Sequence, residues 1–269
     1  MPIHPTAIVD RAAEIDASAD IGPYVVIDGP VVVGPGTRVF AHAVLTGRTV
    51  IGRDNLIHMA AVIGHEPQDL SYRGAPTGLR IGDRNVIREH VEIHRATAIE
   101  RPTGLGDDNY LLSRAHVAHD CQLGNRVLMA TGATLGGHVQ VDDQAFISGN
   151  CVVHQYVRIG RLALLRGLSR TSRDVPPFCI MDGTHTVRAV NRVGLRRAGF
   201  SREQIGAVQR AFATLFRRRR NLRQALDEVE AGAVTPEVRQ LIDFIRSAAR
   251  GVCLGPRAGG STGDDAGVV

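Results

Sequence analysis

Two histidines and a carboxylate fall within seven residues at Ala115–Cys121, which reads Ala-His-Val-Ala-His-Asp-Cys. A neutral imidazole can take a proton from an attacking hydroxyl near pH 7, which makes His119 the candidate general base. More histidines follow at 138 and 154, the second beside Gln155. A backbone N–H at Gly137 could stabilise a developing oxyanion. No Ser or Cys is paired with a histidine as an evident nucleophile, which favours direct transfer to a bound acceptor over a covalent intermediate.

What brings such residues together is a six-residue period. From Ile3 to Leu165 every sixth residue is aliphatic (Met129 included) except Asp69 and Ala75. The next residue is often Gly, as at 22, 34, 52, 82, 106, 124 and 136. The residue two before is small or β-branched in most repeats, as at Ala7, Ala13, Val25 and Thr37. Period six fits neither a 3.6-residue helix nor simple alternation. It fits short strands joined by turns, three closing an 18-residue triangular coil, with coils stacked as parallel strands about 4.8 Å apart. The glycines are expected at tight corners that need positive φ. Gly64–Arg80 and Glu100–Gly104 break the pattern, and loops thrown out of a solenoid often carry binding groups.

From Leu105 to Leu165 the period is unbroken, so residues 18 apart share a column. His119 then lines up with Gly137 and Gln155, and Asp120 with His138. His154 lies one residue before Gln155, and His116 sits at the neighbouring corner. The group spans about three coils, roughly 10 Å of height. Histidines also tolerate outer faces without any role. Some coils of this type bind zinc through histidines, but here no Cys pair or second carboxylate completes an obvious set, and the expectation is no metal.

After Leu165 the repeat fades towards Val175-Pro176-Pro177. Ser201 with Gln204 is a capping-box start, and apolar residues continue through Val208, Phe212, Leu215 and Phe216. Further helices are expected over Asn221–Glu230 and from Thr235-Pro236 to about Arg250. The expected organisation is a solenoid over 1–185, a helical domain over 186–250 that caps the open coil edge, and a disordered tail over 251–269. Among 269 residues there is no Trp and no Lys, so all 32 basic residues are Arg; the net charge of +5 suits an acidic partner. The run Arg217–Arg220 is either part of such a surface or a solvated face. Four scattered Cys read as reduced thiols of a cytoplasmic protein. The N-terminus lacks the pattern of a signal peptide and no run is long enough to span a membrane. No nucleic-acid partner and no membrane insertion are expected.

Several segments together resemble the UDP-N-acetylglucosamine O-acyltransferases, a hexapeptide-repeat family that acts first in lipid A synthesis. They are His65-Glu66-Pro67-Gln68-Asp69-Leu70, Ile93-His94-Arg95, Ala115–Cys121, Gly136-Gly137-His138-Val139, Val153-His154-Gln155-Tyr156, Asp174-Val175-Pro176-Pro177 and Gly194–Ser201. The resemblance covers about residues 1–250. It implies an all-β solenoid, a left-handed parallel β-helix of hexapeptide repeats, with a C-terminal α-helical domain. It implies a homotrimer with active sites between neighbouring prisms, and an acyl-carrier protein that delivers a 3-hydroxyacyl chain to the sugar 3-position. No cofactor is implied beyond the carrier's phosphopantetheine. By motif position His119 resembles the general base, Asp120 its supporting carboxylate and Gly137 the oxyanion donor. Asp69, His94, His116, His138, His154, Gln155, Asn191 and Arg197 resemble the groups that hold nucleotide sugar and acyl donor. Leu164 and Gly167 fall where the acyl chain ends. The chain departs from the family at Ser71, where Lys is usual, at Val193, where Glu is usual, and in Gly183–Asn191, which is one residue short. The alternatives are transfer to another nucleotide or amino sugar or from another thioester, a zinc enzyme of the carbonic-anhydrase type, and a non-catalytic scaffold.

Overall fold

The structure, a computed structural model, describes residues 3–217 and 221–256. Strands of two to four residues wind successively through three sheets of nine, eight and ten strands. All pairings between named strands are parallel except Cys179–Met181 with Val187–Val190. The aliphatic ladder points inward: Ile27, Leu45, Ile63, Ile93, Val117, Leu135 and Val153 stack along one sheet, each almost fully buried. This is the parallel β-helix expected from the repeat, of the left-handed kind that the resemblance implies.

Hydrogen-bonded partners lie 30 and 24 residues apart across the two excursions and 18 apart in the regular coils, falling to 16 only in the last coil, as between Leu164 and Ile180. Both excesses over 18 are multiples of six. The count of six therefore runs on in phase through chain that has left the coil. Asp69 and Ala75 belong to the first excursion. The second begins earlier than Glu100, and Ile99 within it is 57% exposed.

The glycines after the ladder residues correct one expectation. A Cβ on Gly34, Gly52, Gly82 or Gly106 would come within 2.6–2.8 Å of the carbonyl oxygen of the glycine in the next coil. Their task is close backbone approach, not positive φ. The left-handed corners are instead held mostly by other residues, among them Asp120 (φ 60), His138 (φ 60) and Tyr156 (φ 64), and none of the non-glycine residues there is β-branched. Buried Asn55, Asn85 and Asn109 link successive coils by side-chain bonds to backbone N–H groups.

The strand Val187–Val190 still belongs to the sheet, so the helices begin later than residue 186. They are α1 (Arg192–Arg197), α2 (Arg202–Phe212), α3 (Leu222–Glu230) and α4 (Pro236–Arg246), with a π-helical turn over Ala213–Arg217. Asn191, Ser201, Asn221 and Thr235 cap their N-termini, Ser201 and Gln204 forming the reciprocal box. Arg158 fastens the block to the coil: its guanidinium bonds Asp174 and the Phe244 carbonyl and lies 4.4 Å over the Phe244 ring. Residues 251–254, expected in a disordered tail, are ordered. Val252 and Cys253 are buried and Cys253 N–H donates to the Asp174 carbonyl at 2.8 Å. The rest of the tail, 257–269, and Arg218–Arg220 of the arginine run lie outside the described residues. Among the described residues no helix is long and apolar enough to cross a membrane.

Candidate active site

The corner after His116–Val117 turns the chain from the nine-stranded to the eight-stranded sheet and carries His119 and Asp120. His119 Nδ1 lies 2.7 Å from Asp120 Oδ2. An ionised carboxylate only accepts, so Nδ1 carries the proton and Nε2 presents a lone pair. Asp120 is itself pinned. Thr97 donates to its carboxylate from the backbone N–H (3.0 Å) and from Oγ1 (2.8 Å), and Asp120 N–H donates to Thr103 Oγ1 at 2.8 Å. Burial pushes the Asp120 carboxyl up, but the bonds from His119 and Thr97 outweigh it and hold it below the ordinary range. Both side chains are about nine-tenths buried.

Gly137 lies against the His119 ring. A Cβ there would fall 2.5 Å from Cε1 and 2.7 Å from Nε2, so any larger residue displaces the imidazole. No hydrogen bond from the Gly137 N–H is found among the described residues. His138, one coil above Asp120, meets His119 edge-on at 5.2 Å and stacks on Tyr156 at 4.4 Å. Asp69 reaches in from the first excursion, with Oδ2 3.9 Å from His119 Nε2. Its carboxyl is held low, first by the Ser71 backbone N–H and then by the Ser71 hydroxyl. Ser71, the departure from the family's usual Lys, thus locks a turn onto Asp69. Asp120, His138 and Tyr156 also border a cavity of about 580 Å³ edged by Arg101, Arg158 and Arg250.

A second group lies around the corner on the outer face of the nine-stranded sheet. His94 is buried, its Nδ1 donating to the Glu66 carbonyl at 2.6 Å; His116 Nδ1 is 3.2 Å from Glu92 Oε2. His154 and Gln155 are exposed one coil beyond Gly137, and Arg250 donates to the Gln155 carbonyl at 2.6 Å. Among the described residues two trios have the compactness to hold a metal ion: His119, Asp120 and His138, and Glu92, His94 and His116. Burial pushes the Cys121 thiol up to about 12, so it offers no thiolate at neutral pH.

The remaining expected residues are not part of this corner. Asn191, Arg197 and Leu164 gather with Leu128, Phe146 and Val193 around a separate depression on the ten-stranded sheet. The Asn191 amide donates to the Leu162 carbonyl and its oxygen caps α1. Gly167 is exposed in the turn that follows Leu164–Leu165. Sequence reasoning missed Thr97, Thr103 and Tyr156. Tyr156 was within reach, because it stands 18 residues after His138. Thr97 was not, because the excursion breaks the register that would place it.

The fold and sequence are shared with known proteins. A protein-family model described as UDP N-acetylglucosamine O-acyltransferase, domain 2, matches residues 174–253. An acyl-(acyl-carrier-protein)–UDP-N-acetylglucosamine O-acyltransferase of Thermodesulfovibrio yellowstonii is 45% identical over 254 residues, covering 93% of this chain and 98% of that one. The UDP-N-acetylglucosamine acyltransferase structure from Francisella novicida superposes with a TM-score of 0.91 at 33% identity, covering 94% of each chain. That from Bacteroides fragilis gives 0.90 at 38%, covering 93% of this chain and 99% of that one. With identity of this order along nearly the whole length, the chain belongs to the UDP-N-acetylglucosamine O-acyltransferase family.

Proposed function

We propose that the chain transfers a 3-hydroxyacyl group from acyl-carrier protein to the 3-hydroxyl of UDP-N-acetylglucosamine, the first step of lipid A synthesis. The observation that carries this is the His119 ring, whose Nδ1 is occupied by Asp120 and whose Nε2 is free beside Gly137. His119 Nε2 removes the proton from the sugar hydroxyl as that oxygen attacks the thioester carbonyl. The Gly137 N–H donates to the oxyanion that develops. Collapse expels the phosphopantetheine thiolate, which takes the proton from the imidazolium. Asp120 fixes the tautomer and offsets the imidazolium charge. Asp69, His94, His116, His138, His154, Gln155, Asn191 and Arg197 hold the substrates, and Leu164 with Gly167 bounds the acyl chain. The arginines around the cavity beside Asp120 suit the anionic groups of both substrates.

The test is mass spectrometry of the product from UDP-N-acetylglucosamine and 3-hydroxyacyl carrier proteins of several lengths. The expected result is product from the unaltered enzyme and a loss of about a hundredfold or more in His119→Ala, with the folded thermal transition retained. Undiminished turnover in the variant removes His119 as the base. Absence of product with every donor points to another acceptor, and to Ser71 and Val193 as the residues that changed it.

A further inference from the structure

We propose that Glu92, His94 and His116 form a binding site for one divalent transition-metal cation of the zinc type, next to the acyl-transfer corner. Strand register builds it. Glu92 and His116 are directly paired on neighbouring strands. Alternation puts His94 on the same outer face as Glu92, with buried Ile93 pointing inward between them. One ligand atom from each of the three lies within 4.8 Å of the others. Glu92 is the second carboxylate that spacing along the chain did not reveal, because Glu92 and His116 are 24 residues apart.

His94 is the strongest part of the argument. Its Nδ1–H is committed to the Glu66 carbonyl at 2.6 Å, which leaves Nε2 as a lone pair. That atom is buried and has no hydrogen-bond partner among the described residues, in a side chain only 5% exposed. An imidazole oriented by a carbonyl on its far nitrogen is the usual arrangement of a metal-bound histidine. Two borderline imidazoles with one carboxylate are a donor set that suits zinc better than magnesium or calcium. Half-exposed Glu92 leaves one side open to solvent for a remaining ligand. The His119–Asp120–His138 trio is equally compact but less available, since its carboxylate already accepts from His119 and from both donors of Thr97.

The experiment is equilibrium dialysis of metal-stripped protein against Zn²⁺, with metal quantified per chain, for the unaltered protein, Glu92→Gln and Asp120→Asn. About one zinc per chain is expected for the unaltered protein and Asp120→Asn, with affinity at least tenfold weaker in Glu92→Gln. The thermal transition of each variant confirms that it is folded. No uptake by the unaltered protein overturns the proposal, as does uptake indifferent to Glu92→Gln or lost in Asp120→Asn. A kinetic consequence rests on the proposed function: His94 and His116 are also substrate-holding candidates, so zinc should raise the apparent KM for the nucleotide sugar. Failure of the acyltransferase reading would leave the dialysis result standing. Zinc that binds without changing KM removes only the overlap.

Discussion

At the scale of single residues, Gly137 is explained by the ring it faces. Gly137→Ala retains the backbone N–H but drives a methyl to within 2.5 Å of His119 Cε1. The variant should lose about a hundredfold in kcat, because a base displaced by about an ångström no longer meets its proton. Its thermal transition, measured alongside, checks that the variant is folded. An unchanged kcat would show that the ring does not work from this position. Asp120 makes a separate prediction. Its native carboxyl lies below the ordinary range, so its contribution to stability is present in full above about pH 3.9 and is lost as pH falls through the lower native value. Asp120→Asn should therefore flatten the acid limb of stability below pH 4, read as urea midpoints across pH, while the neutral limb keeps its shape. The contact between His119 and Gly137 was legible in the sequence, because counting 18 residues places one over the other. The support of Asp120 by Thr97 was not, since Thr97 sits where the count no longer maps to space.

At the scale of elements, the coil is held by glycines stacked on one another. Gly106→Ala places a Cβ 2.7 Å from the Gly124 carbonyl oxygen and 2.5 Å from Asn125 Oδ1. Backbone cannot move aside as a side-chain tip can, so neighbouring coils must separate there. A cost of about 1–3 kcal/mol is expected, read as a thermal midpoint several degrees lower with the spectrum of the native sheet preserved. A midpoint unchanged within a degree would show that the coils have slack at this corner. The same stacking explains why so much of the fold could be read from the chain alone. In a solenoid each residue's neighbour is set by a count, so the inward ladder, the histidine column and the capped helix starts at Ser201 and Thr235 all followed from local pattern. The count gave no warning where excursions preserved its phase, as at Ile99. It was also silent once the repeat ended: nothing local distinguishes the antiparallel strand Val187–Val190 or the π-helical turn Ala213–Arg217, whose Leu215 and Phe216 keep an ordinary helical spacing.

At the scale of the whole molecule, one chain divides the proposed site between two places. His119, Asp120 and Gly137 occupy the corner between the nine- and eight-stranded sheets, while Asn191, Arg197 and Leu164 surround a depression on the ten-stranded sheet. If all of them serve one reaction, one protomer must bring its base to the other group on its neighbour, and a closed ring of three prisms meets that need with a single kind of contact. Sedimentation should then give about 87 kDa, three times the 28.9 kDa of the chain. A sharper consequence concerns mixed assemblies. His119→Ala and Arg197→Ala each lack one half of every site and should be nearly inactive alone; Arg197 is exposed, so its loss should not unfold the chain. Unfolded together in equal amounts and refolded, they should recover about a quarter of the sites, since a site works only where an intact base meets an intact neighbour. Recovery of that order places each reaction between two chains. No recovery, with the refolded mixture shown to have the same mass and thermal transition as the unaltered protein, would place the base and Arg197 of each working site on one chain and overturn a site shared between neighbours.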